Sequence, residues 1–142
     1  MRYPMLLAMV LAGTGMGPLQ AMERTDAPED ARAYFLGVED GDTLTSPVTL
    51  EFGLEGIGVA PAGVEHENTG HHHLLINTDL DDINMDRPLP ASDQVRHFGG
   101  GQTRAQIELE PGEYSLQLLL GDHLHIPHQP PVKSERITIT VE

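Results

Sequence analysis

This chain has no cysteine and no tryptophan, three tyrosines and three phenylalanines, and eight lysines and arginines against 22 aspartates and glutamates. Each shortage removes a class of function. Without cysteine there is no disulfide framework, no thiolate ligand and no attachment point for a lipoprotein anchor. With so few basic residues and a formal net charge of −14, the surface has no patch that could displace counterions from nucleic acid or lie on anionic lipid. The scarcity of aromatic side chains leaves little for a sugar-stacking platform. No apolar run reaches the roughly 20 residues that a helix needs to cross a bilayer, so no membrane span is expected. A serine or cysteine nucleophile motif is also missing.

One short apolar stretch is present, at the N-terminus. Met1-Arg2-Tyr3-Pro4 leads into apolar residues 5–12 and then into small residues with Gly and Pro up to Ala21. A single positive charge, a short apolar core and a small-residue exit describe a secretory signal peptide over residues 1–21, hence a periplasmic or secreted protein. Its removal takes away Arg2 and brings the mature charge to about −15. Residues 22–32 are expected to be a flexible N-terminal segment. Residues 33–142 then form one domain, large enough for a core without cross-links.

That domain is written in short strands. Residues 48–54 alternate apolar and polar side chains without a break, the period-two signature of a half-buried strand. Residues 33–38, 74–76, 105–109, 114–120 and 137–141 complete the set, with Ile107 and Leu109 facing inward. Turn signals separate them at Asp40-Gly41-Asp42, Pro61-Ala62-Gly63, Gly99-Gly100-Gly101 and Pro111-Gly112. No segment sustains a helical period. The pattern predicts an all-β fold, a single β-sandwich of the immunoglobulin or fibronectin type with histidine-rich loops. Tyr114, just after a tight turn and at the start of the most apolar strand, fits either the tyrosine corner of such sandwiches or an ordinary strand tyrosine. Two connections, 55–69 and 78–103, are too long for turns; each abuts histidines, and both are expected to gather at one end of the sandwich.

The histidines are the main chemical signal. All eight fall between His66 and His128, and six of them sit in Gly70-His71-His72-His73 and Asp122-His123-Leu124-His125-Ile126-Pro127-His128. Histidine is the commonest metal ligand, and imidazole-rich, thiolate-free sites suit zinc, Cu(II) or nickel. With Met22 and Met85 the only thioethers beyond the signal peptide, a methionine-rich Cu(I) carrier is disfavoured. On a strand, residues two apart share a face. His71 and His73 therefore act together if their strand reaches back that far, while His72 joins Leu74 and Ile76 on a packed face. His123 and His125 share a face at the exit of the 114–120 strand, and Pro127 turns the chain and frees His128. His97, beside the glycine triplet, comes from a flexible loop as a further ligand or a gate. Asp122 either orients an imidazole or ends its strand. The acids around Asp82-Ile83-Asn84-Met85-Asp86 read as a solvated loop, since Arg87 stands where a calcium loop needs glycine.

Three stretches together resemble a bacterial secreted family known as domain of unknown function 4399. They are Asn68-Thr69-Gly70-His71-His72-His73-Leu74-Leu75-Ile76, His97-Phe98-Gly99-Gly100-Gly101-Gln102-Thr103, and Gly121-Asp122-x-x-His125-x-Pro127-His128-x-Pro130-Pro131-Val132. The resemblance implies that His71, His72, His73, His97, His125 and His128 match the family's motif histidines. His66 and His123 fall at positions that the motifs leave open. It implies no activity. Residues and resemblance together lead to an exported protein that holds copper or zinc through His71, His73, His125 and His128, with His97 as a fifth ligand or gate, and stores, buffers or delivers it. Two other classes stay open: a metal-dependent enzyme built on the same cluster, and a metal-independent recognition module with an envelope protein as partner.

Overall fold

The computed structural model describes residues 23–142 together with Gly13 and Gly15. Those glycines apart, the signal peptide expected over 1–21 lies outside the described residues. Among the described residues, nine strands follow in chain order: β1 (Arg32–Leu36), β2 (Thr43–Leu44), β3 (Val48–Glu55), β4 (Gly58–Val59), β5 (Thr69–Ile76), β6 (Val95–His97), β7 (Arg104–Ile107), β8 (Gly112–Gly121) and β9 (Ile137–Val141). A 3-10 turn at Leu80–Asp82 lies between β5 and β6. No helix among the described residues is long and apolar enough to cross a membrane.

The strands form two sheets, β1-β3-β7 and β2-β9-β8-β5-β4, with β6 also paired to β5. The long neighbours run antiparallel, whereas short β2 runs parallel to β9. This is the immunoglobulin-like all-β sandwich that the sequence predicts. The Tyr114 hydroxyl donates to the Glu110 carbonyl at 2.7 Å, which is the corner bond of such folds.

The alternating residues meet between the sheets. Val48, Leu50 and Phe52 of β3 pack against Leu74 and Ile76 of β5, Leu116 and Leu118 of β8, and Ile139 and Val141 of β9. Burying each large aliphatic side chain there contributes about 1.5–3 kcal/mol. A second, smaller apolar cluster lies on the opposite face of the larger sheet. There Leu75 and Leu119 are covered by Leu89 and Val95, with Leu80, Ile83 and Met85 beside them. The connection between β5 and β6 thus folds back over the sheet. Covered on both faces, β5 and much of β8 read as continuous buried runs rather than alternation.

Residues 24–27 run beside 127–129. Asp26 bridges Gln129 in parallel, Gln129 N–H donates to the Thr25 carbonyl at 2.9 Å, and Ala27 N–H donates to the Gln129 carbonyl at 3.0 Å. Within the segment expected to be flexible over 22–32, residues 24–27 find partners in the second histidine stretch.

Candidate metal centre

β5 reaches back to Thr69, which meets the condition for its histidines to act together. In the β5–β8 ladder His71 stands opposite Gly121, His72 opposite Leu120 and His73 opposite Leu119. The strand pleat sends His71 and His73 outward with Leu75, and His72 inward with Leu74 and Ile76. All three imidazoles are fully buried.

A third imidazole meets the outward pair. His125 Nδ1 lies 2.9 Å from His71 Nε2 and 3.2 Å from His73 Nε2. Among the described residues this is the one group of three or more His, Asp or Glu side chains whose ligand atoms converge, all within 4.8 Å of one another. His97 stands next to it, its ring centroid 4.4 Å from that of His73 and 4.7 Å from that of His125. It is not carried by a flexible loop: it ends β6, directly opposite His73 in the ladder. Its Nε2 is buried with no hydrogen-bond partner.

Proton chemistry at the cluster is suppressed. Burial first, then the neighbouring His125 and His97, push His71 down from 6.5 to about 4, with Asp122 opposing. His73 is pushed to about 2 by burial, then by His71, His97 and His125. Burial also lowers His97. Neutral imidazoles keep a lone pair on one ring nitrogen. Three such nitrogens pointed at one another are poorly served by protons, since one N–H bridges them imperfectly and leaves lone pairs facing each other. A cation serves all three. An ion bound at about 2.0–2.1 Å sets its donor nitrogens roughly 2.9 Å apart at right angles and roughly 3.4 Å apart at a tetrahedral angle. The two separations from His125 Nδ1, 2.9 and 3.2 Å, fall in that range.

The surroundings hold the donors in place. A Cβ on Gly121 would lie 2.5 Å from His73 Cε1, so the missing side chain is what leaves room for the imidazole. His125 sits in a turn with φ of 63°, a left-handed conformation that costs a non-glycine residue about 1–2 kcal/mol. Asp122 stabilises that turn: its Oδ1 accepts from Leu124 N–H at 2.9 Å and Ile126 N–H at 3.0 Å. Asp122 therefore neither hydrogen-bonds an imidazole nor simply ends the strand. The two long loops do gather here: Ala62 N–H bonds the Gly99 carbonyl, Gly63 N–H that of His123, and Leu89 N–H that of His125.

The remaining candidates lie elsewhere. His128 is fully buried, but its Nε2 pairs with the Thr69 carbonyl at 3.1 Å and it stands outside the converging group. His72 packs on Phe52 at a centroid distance of 5.2 Å, with both ring nitrogens unpartnered, and burial alone lowers it to about 4. His123 does not share a face with His125, because residues 122–125 form a turn rather than a strand exit; its Nε2 lies 3.8 Å from Glu65. His66 is exposed and bonds the Glu67 carbonyl. In the acidic loop Asn84 caps Asp86 N–H and Asp79 caps Asp81 N–H, so these side chains shape turns. Sequence reasoning missed Thr25 and the space-making role of Gly121; the second lay within a quoted motif, whereas nothing local marks the first.

Residues 50–142, well over half of the chain, match the model of the family described as domain of unknown function (DUF4399), and the chain belongs to that family. The match contains every histidine. No curated protein and no solved structure matches the chain.

Proposed function

We propose that this DUF4399 member is an exported metal-binding protein that holds one copper or zinc ion through imidazole nitrogen and stores, buffers or delivers it. The observation that carries this reading is the convergence of His71 Nε2, His73 Nε2 and His125 Nδ1. His97 Nε2, buried and unpartnered beside them, stands outside that converging group and is the candidate for a fourth donor. An all-imidazole set suits zinc or Cu(II). The three converging imidazoles fill three positions of a tetrahedral shell, and closure of the fourth by His97 distinguishes a carrier from an enzyme. The acidic chain, at −14, draws cations toward the site and offsets the charge that neutral ligands leave uncompensated. Export is supported by the N-terminal sequence pattern over 1–21.

The test is metal content and affinity of residues 23–142, purified without a histidine tag. One ion per chain is expected, lost in a His71→Ala, His125→Ala double variant. Failure of the unsubstituted protein to take up copper or zinc stoichiometrically overturns the proposal.

A further inference from the structure

We infer that Thr25 and Asp122 are positioning residues for this metal site, forming a latch through which the N-terminal strap holds ligand His125 in place. The inference rests on the metal reading above and adds how the ion is retained.

The three converging ligands are not equally fixed. His71 and His73 belong to β5, which is hydrogen-bonded to β8 on one edge and to β4 and β6 on the other. Their spacing cannot change without breaking the ladder. His125 belongs to no strand, and its left-handed backbone is maintained by the bonds around it. Its N–H donates to the Asp122 carbonyl, and Asp122 N–H donates to the Ile126 carbonyl, both at 2.9 Å. The Asp122 side chain completes this closure, since Oδ1 takes the N–H groups on either side of His125. A carboxylate that is only 3% exposed needs its second oxygen satisfied as well. Thr25 does this: its hydroxyl donates to Asp122 Oδ2 at 2.7 Å.

Thr25 is in turn held by the parallel pairing of the strap with Gln129. Arg24 adds a clamp on the far side of the turn, donating to the Pro127 carbonyl at 3.2 Å and to the His128 carbonyl. The strap therefore grips the ligand turn through both its side chains and its backbone. If it lets go, a buried carboxylate oxygen loses its donor, the turn loosens, and the movable ligand leaves the two fixed ones.

The experiment compares the full chain with its Thr25→Val and Thr25→Ser variants, loaded with Cu(II). Valine keeps the shape and removes the hydroxyl; serine restores it. Release of copper to excess chelator is expected to be about ten-fold faster for valine, the scale found when the partner of a ligand is lost, and near the original rate for serine. In the metal-free proteins, amide exchange at Leu124 and Ile126 is expected to quicken in the valine variant alone. The Cu(II) electron paramagnetic resonance signal should broaden with it, a change that a merely stabilising residue would not produce. Asp122→Asn, which keeps one acceptor oxygen but puts an amide where Thr25 donates, should show the same faster release. Equal release rates for Thr25→Val and the unsubstituted chain overturn the latch while leaving the metal reading intact. A chain that takes up no copper or zinc overturns both.

Discussion

On the outer face of β5, His71 and His73 aim their Nε2 atoms at a third imidazole; on the inner face, His72 lies against Phe52 with neither ring nitrogen bonded. Strand, burial and weakened proton affinity are common to both faces. The difference lies in what crosses them. The outer face receives the 122–128 turn with His125, and β6 beside β5 sets His97 on that same side, whereas the inner face receives the apolar side of β3. Burial makes a histidine neutral, but convergence gives it the placement that a ligand needs.

The strongest way to break this contrast is at the outer face. The His71→Ala, His125→Ala variant should lose metal affinity by about a thousand-fold or more, roughly 4 kcal/mol, in chelator competition. An equal loss on replacing His72 would erase the distinction between the faces.

Acid tests both faces at once. His71 and His72 are held near 4 in the folded chain against 6.5 when unfolded, so the unfolded chain binds more protons between those values. Stability of the metal-free protein should therefore rise with pH across that window and be lost as pH falls through it. Each histidine contributes up to about 1.4 kcal/mol per pH unit, measured by denaturant unfolding from pH 7 to pH 4. A flat profile would contradict neutral burial.

Gly121→Ala places a methyl group 2.5 Å from His73 Cε1. It should destabilise the fold by about 1–3 kcal/mol and weaken metal binding, whereas a variant with unchanged affinity would show that the His73 ring has room to spare. On the inner face, His72→Leu removes unpartnered buried nitrogens and should stabilise the chain by about 1 kcal/mol with metal binding kept. It should also make the acid slope shallower. The smallest effects belong to His66→Ala and His123→Ala, which should change neither affinity nor stability by more than about 0.5 kcal/mol.

The sandwich was legible wherever one face of a strand meets water. The alternation of Val48-Thr49-Leu50-Glu51-Phe52 marks β3, and β9 spans the residues that its pattern predicts. β5 was only half legible, because a strand covered on both faces carries no alternation. β2, β4 and β6 have two or three residues each, too few for any period. That brevity hid the pairing of His97 with His73. At the site, local spacing placed His71 and His73 on one face, as β5 does, since the pleat alone relates them. It failed for His123 and His128, whose ring directions depend on the Asp122 turn and on the Thr69 carbonyl. The Thr25 contact joins residues 97 positions apart, and no pattern within the sequence announces it.

The converging imidazoles share no member with the apolar core between the sheets. On the metal reading proposed above, folding does not depend on loading. The core can assemble from apolar burial alone, in whatever ionic surroundings the chain first meets. On the metal reading, loaded and empty molecules share the same two sheets and differ at the turn that carries His125.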